Sequence, residues 1–381
     1  MERGKPEAQR RSAADGSRQL TDGPLLARWP TGPLRPPAPL ISAFLAREEI
    51  PGASAALGIA GEPPVVAAFG ARDLAGTVPL RADDRCPFHS ITKLILAAAA
   101  LQLVSQGRLA LDAPVGPLLP EVALLALLAP LTLRQLLGHT AGLPDYGALP
   151  AYDAALRTDP ERPWTAADLL AATLPQGLRF QPGTGWAYAN VGFLLVRLLI
   201  ERTTEQPLAT ALDRLIFGPL GLWQTGVVVD LAAGTALTPG WSSALDPAAG
   251  LRGIAPRYHP DWVAHGLVAG TARELARLTA AIVAGGLLPP AMRAALLAPT
   301  LLPFAHPHFR RPAYGLGAML DPASPYGLVA GHAGGGPGYS TAAIHFPHLA
   351  GRPTTIAVLL NRDRDDAALR LVFVLAEAVS E

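Results

Sequence analysis

Polar and apolar positions along the chain fall into three regimes. At the start, residues 38–49 ("APLISAFLAREE") space their apolar side chains as a short amphipathic helix. Two brief apolar runs follow within 51–69, "ASAALGIA" and "PVVAAF", split by "GEPP". Short runs parted by a Gly/Pro turn predict a β-hairpin. From about 90 to 235 helical patterning dominates. Leu94–Gln106 is apolar nearly all round, the pattern of a helix buried on every face, with Gly107 as its stop. Thr132 and Thr165 stand where helix caps belong, before "LRQLL" and "AADLLAATL". Thr271 and Glu274 read as a capping-box pair opening a helix that ends at Gly285 and Gly286. The last eighty or so residues change character again. "YGLGAML", "GLVAGHAG", "GYSTAAIHF" and "TTIAVLLN" are strand-like runs between Gly and Pro turns, and "DDAALRLVFVLAEAVS" closes the chain as a helix.

Strand pieces at both ends with helices between predict an α/β (α+β) fold. One antiparallel sheet is built from both chain ends and flanked by helices, with an inserted all-helical lobe. The expected boundaries are a flexible Pro/Arg-rich tail at 1–37, an α/β lobe at 38–85 plus about 265–381, and a helical lobe at about 86–264, with the site in the cleft between lobes. The tail has no apolar core of the secretory type, and no run reaches the roughly 18 residues of a membrane span, so the expectation is a cytoplasmic protein. Half of the residues are hydrophobic, 16% are charged and the net charge is +1, with no basic stripe past the N-terminus. That balance excludes nucleic acid and an anionic membrane as expected partners. The single cysteine, Cys86, has no internal disulfide partner and beside Phe88 is expected to pack as a small apolar residue.

Chemistry gathers in three patches. The first is Ser90-Ile-Thr-Lys93, which puts a hydroxyl and an amine on one face of a helix start. A serine needs a base, and lysine can serve only as a neutral amine, a state favoured by burial and by the positive end of a helix. Arginine could not serve, because it keeps its proton. The chain holds two lysines, Lys5 and Lys93, among 31 basic residues, so lysine at 93 stands against a composition that otherwise uses arginine. The second patch places Tyr188 and Asn190 at i, i+2, a spacing that aims two polar tips the same way on an extended segment. The chain's asparagines are Asn190 and Asn361. The third, "GHAGGGPGYS" at 331–340, follows His332 with Gly334, Gly335 and Gly336, where a substrate could approach backbone N–H groups.

S-x-x-K, then Y-x-N, then H-x-G in that order resembles the penicillin-recognising serine hydrolases. The flanks "LLGHTAGLPDY" (136–146), "FQPGTGWAYANVGFLLVRLLIERTT" (180–204) and "GLVAGTARELAR" (266–277) resemble the class C β-lactamase-like branch, which includes DD-peptidases, family VIII esterases and amidases. The resemblance runs from about residue 40 to the end. It implies that Ser90 is the acylated nucleophile, that Lys93 and Tyr188 form its proton-transfer pair, and that Asn190 orients substrate and Lys93. It also implies an oxyanion hole from the backbone N–H groups of Ser90 and Gly335. His332 stands where class C β-lactamases carry the lysine of K-T-G, a departure that looks more like the DD-peptidases, esterases and amidases of the family than an efficient β-lactamase, while leaving His332, if protonated, able to hold a carboxylate. His332, Gly334 and Tyr146 are the expected substrate contacts beside Asn190, with Leu143, Asp145 and Tyr146 lining the acyl pocket.

The expected function is therefore a serine hydrolase acting on a small-molecule ester or amide, without cofactor or metal. D-alanyl-D-alanine carboxypeptidase or weak β-lactamase action is the alternative, and a catalytically silent scaffold or β-lactam sensor is the alternative of another class. His89 beside the nucleophile is expected to shape the site. The pairs His306 and His308, and His345 and His348, lack carboxylates at ligand spacing and read as loop and strand-end residues. An α/β-hydrolase reading of "GYSTA" fails on order, since no histidine follows Asp363, Asp365 and Asp366, the aspartates that come after Ser340.

Overall fold

The computed structural model describes residues 37–119, 127–255 and 257–380. The tail expected at 1–37 lies, up to residue 36, outside the described residues. In chain order, α1 (Pro37–Glu48) leads into β1 (Gly52–Ile59) and β2 (Val65–Gly70). β3 (Cys86–Pro87) runs into a 3-10 turn, His89–Ile91, and α2 (Thr92–Ser105). Helices α3 (Leu133–Leu137), α4 (Ala166–Thr173) and α5 (Asn190–Thr204) follow. β4 (Gly226–Val227) and β5 (Val268–Gly270) precede α6 (Ala272–Val283). Then come β6 (Thr300–Leu301), β7 (Ala313–Tyr314), β8 (Met319–Asp321), β9 (Val329–Gly336), β10 (Tyr339–Leu349), β11 (Arg352–Leu360) and α7 (Ala367–Ser380).

The antiparallel sheet expected from both chain ends is present. Its eight strands run in the order β2-β1-β11-β10-β9-β8-β7-β6. β1 is the joint: it pairs with β2 through Ala53 opposite Phe69 and with β11 through Ala53 opposite Leu360. Alternate residues feed two cores, as the twofold period of a strand requires. Ala56, Ala343, Ala357 and Leu359 pack toward α2 and α6, whereas Ala55, Leu57, Ile344, Val358 and Leu360 pack toward α1 and α7. Burial on both faces is why these strands read as continuous apolar runs. To the helices expected between residues 86 and 264 the structure adds short strands. β3 and β4 pair with the two edges of β5, satisfying its buried backbone groups, and Trp241–Ser242 pairs with Arg252–Gly253.

Cap chemistry explains the helix starts. Thr132 and Thr165 accept from the backbone N–H of Gln135 and Asp168, whose side chains accept in return from the cap backbone. At α6 the box is only half made. Thr271 accepts from the Glu274 N–H, but the Glu274 carboxylate turns away to accept from Gln224 N–H and Thr225 Oγ1. The long-range bonds tie α6 to the segment before β4. His306 and His308 stack on Phe309 and Phe373, and His345 Nδ1 lies 2.9 Å from Thr355 Oγ1. Cys86 is buried, and burial pushes its thiol up to about 12, far from a thiolate nucleophile. Among the described residues no helix is long and apolar enough to cross a membrane.

Asn361, the other asparagine, turns out to be the stitch between the two ends of the chain. It is fully buried, accepts from Gly52 N–H at 2.7 Å and donates to the Ala71 carbonyl at 3.0 Å. The scarcity of asparagine therefore marks a structural residue here. Replacing Asn361 by Ala should strand a buried donor and a buried acceptor and cost about 2–4 kcal/mol. Urea unfolding of Asn361→Ala is the measurement; a loss under about 1 kcal/mol would mean the two groups find other partners.

Candidate active site

The nucleophile turn is held from two sides. Phe88 N–H donates to the Val268 carbonyl at 2.7 Å, and Val268 N–H donates to Thr92 Oγ1 at 3.3 Å, so β5 grips both ends of the turn. On the opposite side β9 presses glycine against it. A methyl group on Gly334 would lie 2.2 Å from the Phe88 carbonyl oxygen and 3.0 Å from Ser90 N. Thr341 Oγ1, one strand over, lies 3.1 Å from that Phe88 carbonyl and 3.2 Å from the Gly334 carbonyl. His89 takes a left-handed backbone, φ 47°, and its ring fills the space that a side chain at Gly336 would need. A non-glycine residue in that conformation is a strained element, and here it turns the chain sharply enough to present Ser90 ahead of α2. Ser90 sits in the 3-10 turn rather than capping α2: the cap position is Ile91, with no side-chain cap bond.

Around Ser90 Oγ the side chains converge. Lys93 Nζ lies 3.0 Å away and Tyr188 Oη donates to it at 2.9 Å. Lys93 is 0% exposed, inside the helix that the sequence marks as apolar all round. Burial lowers its pKa to about 7, with the Asp145 carboxylate opposing. Burial moves Tyr188 the other way and pushes its phenol up; the Ser90 hydrogen bond pulls down and Asp145 adds to the rise. Near neutrality the phenol therefore keeps its proton while a large share of the amine is free. Environments that drive two groups apart in this way separate a base from a proton donor. The two meet through Ser90 Oγ, and Lys93 Nζ also sits 4.9 Å from the centre of the Tyr188 ring. Tyr188 is placed by the segment before α5, whose Arg179, Gly183 and Ala187 N–H groups donate to the carbonyls of Gly142, Thr140 and His139.

Asn190, Asp145 and Tyr146 depart from their expected places. Asn190 is the first residue of α5, and its side-chain amide is spent on the Asp145 carboxylate at 3.1 Å, while its backbone N–H donates to the same group at 3.0 Å. The i, i+2 reading assumed an extended strand; the helix that starts at Asn190 sends the two tips to different partners. Asp145 is a latch between its loop and α5 rather than a wall of the acyl pocket. Tyr146 is 3% exposed and packs on Tyr152, with ring centres 5.0 Å apart. It does not line the cleft at Ser90.

That cleft has a volume of about 780 Å3 and is lined by Ser90, Tyr188, Met319, His332, Gly334 and Gly335, with Asp363–Asp366 on its far rim. Gly335 faces open space. His332 lines the cleft but is not free to bind through its ring nitrogens. Nε2 lies 2.9 Å from Tyr314 Oη and Nδ1 2.5 Å from the Ala333 carbonyl. A proton on Nδ1 that donates to the carbonyl leaves Nε2 to accept from Tyr314. Burial, with the Lys93 charge second, lowers the His332 pKa to about 3. The protonated carboxylate clamp that the sequence left open is therefore absent at neutral pH. Sequence reasoning also missed His265, whose Nε2 lies 3.3 Å from Lys93 Nζ. Its one local signal is a polar residue inside the apolar run "WVAHGLVAG".

The family model described as Beta-lactamase matches residues 38–378. Esterase EstB of Burkholderia gladioli is 37% identical over 198 residues, covering 48% of this chain and 49% of that protein. A D-aminopeptidase of Cereibacter sphaeroides is 33% identical over 174 residues, covering 45% of this chain and 32% of that protein. The chain thus spans half or less of the length of these two relatives. Among solved structures, a D-stereospecific amidohydrolase from Streptomyces sp. superposes with a TM-score of 0.72 at 28% identity, covering 86% of this chain and 95% of that one.

Two outcomes are expected. With Lys93 as the expected base, acylation by p-nitrophenyl acetate should rise with pH through about 7, because the free amine gains population as pH climbs past that value. Lys93→Arg should lose about 10²-fold or more and lose that rise; an arginine variant that kept the wild-type rate would remove Lys93 from the chemistry. Gly334→Ala should push β9 off the nucleophile turn and slow acylation by about 10²-fold. Stopped-flow burst kinetics checks both, and an unchanged burst in Gly334→Ala would mean that the contact at Ser90 N is dispensable.

Proposed function

The chain belongs to the Beta-lactamase family, and from that premise we propose that it is a serine hydrolase cleaving small esters and amides through an acyl-enzyme on Ser90. Lys93 takes the Ser90 proton as Oγ attacks the carbonyl carbon. The N–H groups of Ser90 and Gly335 receive the developing oxyanion, each donor of this kind being worth about 10²–10³ in rate. Tyr188, protonated and bonded to Oγ, hands its proton to the departing oxygen or nitrogen and recovers one from the Lys93 ammonium. Water then enters by the reverse route, with Lys93 again the base.

The observation that carries the substrate class is the state of His332. A substrate with a free carboxylate beside its scissile bond, such as a β-lactam or a peptide ending in D-alanine, is held best by a cation there. His332 is neutral with both ring nitrogens engaged. Arg364, the one cation among the lining residues, is engaged by Glu49 at 2.6 Å. Leaving a carboxylate unpaired in the cleft costs about 2–5 kcal/mol. The printed names of the similar proteins, an esterase, a D-aminopeptidase and a D-stereospecific amidohydrolase, support the ester and amide side.

A side-by-side panel of p-nitrophenyl acetate, p-nitrophenyl butyrate, D-phenylalanine amide and nitrocefin tests this reading. Ester or amide kcat/KM should exceed that of nitrocefin by about 30-fold or more, the lower bound of the unpaired-carboxylate cost. Comparable nitrocefin turnover would overturn the substrate class. A fluorophosphonate label that attached equally to wild type and Ser90→Ala would overturn the nucleophile.

A further inference from the structure

We propose that His265 is a positioning residue: its Nε2 accepts a hydrogen bond from the neutral Lys93 amine and so aims the amine's lone pair at the Ser90 hydroxyl. This rests on the reading of Lys93 as the base. A neutral primary amine has one lone pair and two N–H bonds. If nothing holds the N–H bonds, the group rotates about Cε–Nζ and the lone pair points at Ser90 only part of the time. Lys93 Nζ has three kinds of neighbour: Ser90 Oγ at 3.0 Å, His265 Nε2 at 3.3 Å, and the faces of Tyr188 and Phe193 at 4.9 and 5.8 Å. With one N–H on His265 and the other over the rings, the lone pair is left for Ser90.

The fold fixes His265 for this task. It is 2% exposed and stands three residues before Val268. Val268 is the residue bonded to both Phe88 N–H and Thr92 Oγ1, so His265 is anchored to the same turn and helix that carry Ser90 and Lys93. Gly266 makes the bend between them: its φ is +94°, its N–H donates to the Val263 carbonyl at 2.7 Å, and a side chain there would strike Leu208. An accepting Nε2 puts the ring proton on Nδ1. Nδ1 is buried and completes no hydrogen bond among the described residues, yet the backbone of His89 nearby favours a proton there. Burial, then the Lys93 charge, hold the ring well below the usual histidine range, so it stays neutral. The titratable groups that face it are Lys93 from α2, His89 from the nucleophile turn and His332 from β9; Asp145 faces Lys93 and Tyr188 from the loop before α4.

The chain's two lysines make a direct test available. Full-length protein labelled with 13Cε-lysine gives two lysine resonances, and Lys5→Arg assigns them. Wild-type Lys93 should titrate near 7. A neutral acceptor favours the ammonium over the amine, so His265→Leu should lower that midpoint by about half a pH unit or more. The same variant should slow acylation about 10-fold or more at pH 8.5, where the amine is free in both proteins, with KM unchanged. His265→Gln, whose Oε1 can accept, should recover most of both effects. A Lys93 midpoint that stays or rises in His265→Leu overturns the proposal, as does a glutamine variant that matches leucine. Should His265→Leu fail to fold, the Gln variant decides: a midpoint moved by the half unit expected for loss of the acceptor overturns the proposal. If the wild type is not acylated while its Lys93 midpoint responds as stated, the function assigned to Ser90 fails and the His265 contact stands.

Discussion

Keeping an amine uncharged at neutral pH requires surroundings that solvate charge badly, and the rest of this structure is arranged around that requirement. The helix behind Ser90 is buried on every face, which is why the Lys93 amine can shed its proton near neutrality. The same burial would punish any cation that could not shed its proton, so arginine is excluded at this one position in a chain that uses arginine almost everywhere else. Tyr188 and Lys93 share one low-dielectric space yet respond oppositely, because burial penalises a phenolate and an ammonium alike. A free amine and a protonated phenol are thereby obtained from one physical cause. Asp145 tempers the effect: its charge holds Lys93 higher than burial alone would set it, while its oxygens are anchored by Asn190 and the first N–H of α5.

Precision at Ser90 comes from the sheet. The nucleophile turn is strained at His89 and would relax if free. It is held between β5, through backbone bonds at Val268, and β9, through a glycine close enough that no side chain fits. Thr341 reaches across from β10 to the same Phe88 carbonyl. The strands that do this belong to the later part of the chain, and the sheet they build is closed by β1 from its start. The turn that carries Ser90 is thus supported by contacts whose partners lie some 180 to 250 residues later. The buried Asn361 joins Gly52 and Ala71 to the end of β11 and so helps keep that sheet closed.

Much of this could be read along the chain because the signals are local. Short apolar runs parted by a Gly/Pro turn located the hairpin, a run apolar nearly all round located α2, and S-x-x-K declared itself through the rarity of lysine. What escaped is what depends on a partner far away. Glu274 looks like half of a capping box until Gln224 and Thr225 compete for it. Asn190 and Tyr188 seem to face one way until a helix starts between them. His332 resembles a potential cation until Tyr314 and the Ala333 carbonyl claim both nitrogens. His265 carried almost no signal, since its distance from Lys93 is set by a strand pairing between residues 86–87 and 269–270.

Four buried histidines surround the site, and their electrostatics complete the argument. His89, His139, His265 and His332 are each lowered first by burial and then by the charge on Lys93. A proton placed on any of them must compete with the ammonium a few ångströms away, and Lys93, with the higher affinity, takes it first. The ring of histidines therefore behaves as polar, uncharged packing across the neutral range. Three of the four rings present a nitrogen to a fixed partner: His139 accepts from Ala189 N–H behind Tyr188, His332 faces Tyr314, and His265 faces the amine itself. Apolar side chains in these places would bury Lys93 equally well but would leave its hydrogens, and the backbone behind Tyr188, without partners. Lysine or arginine would add a second charge and drive Lys93 lower still. Neutral imidazole meets both demands, which accounts for the concentration of histidine around one lysine.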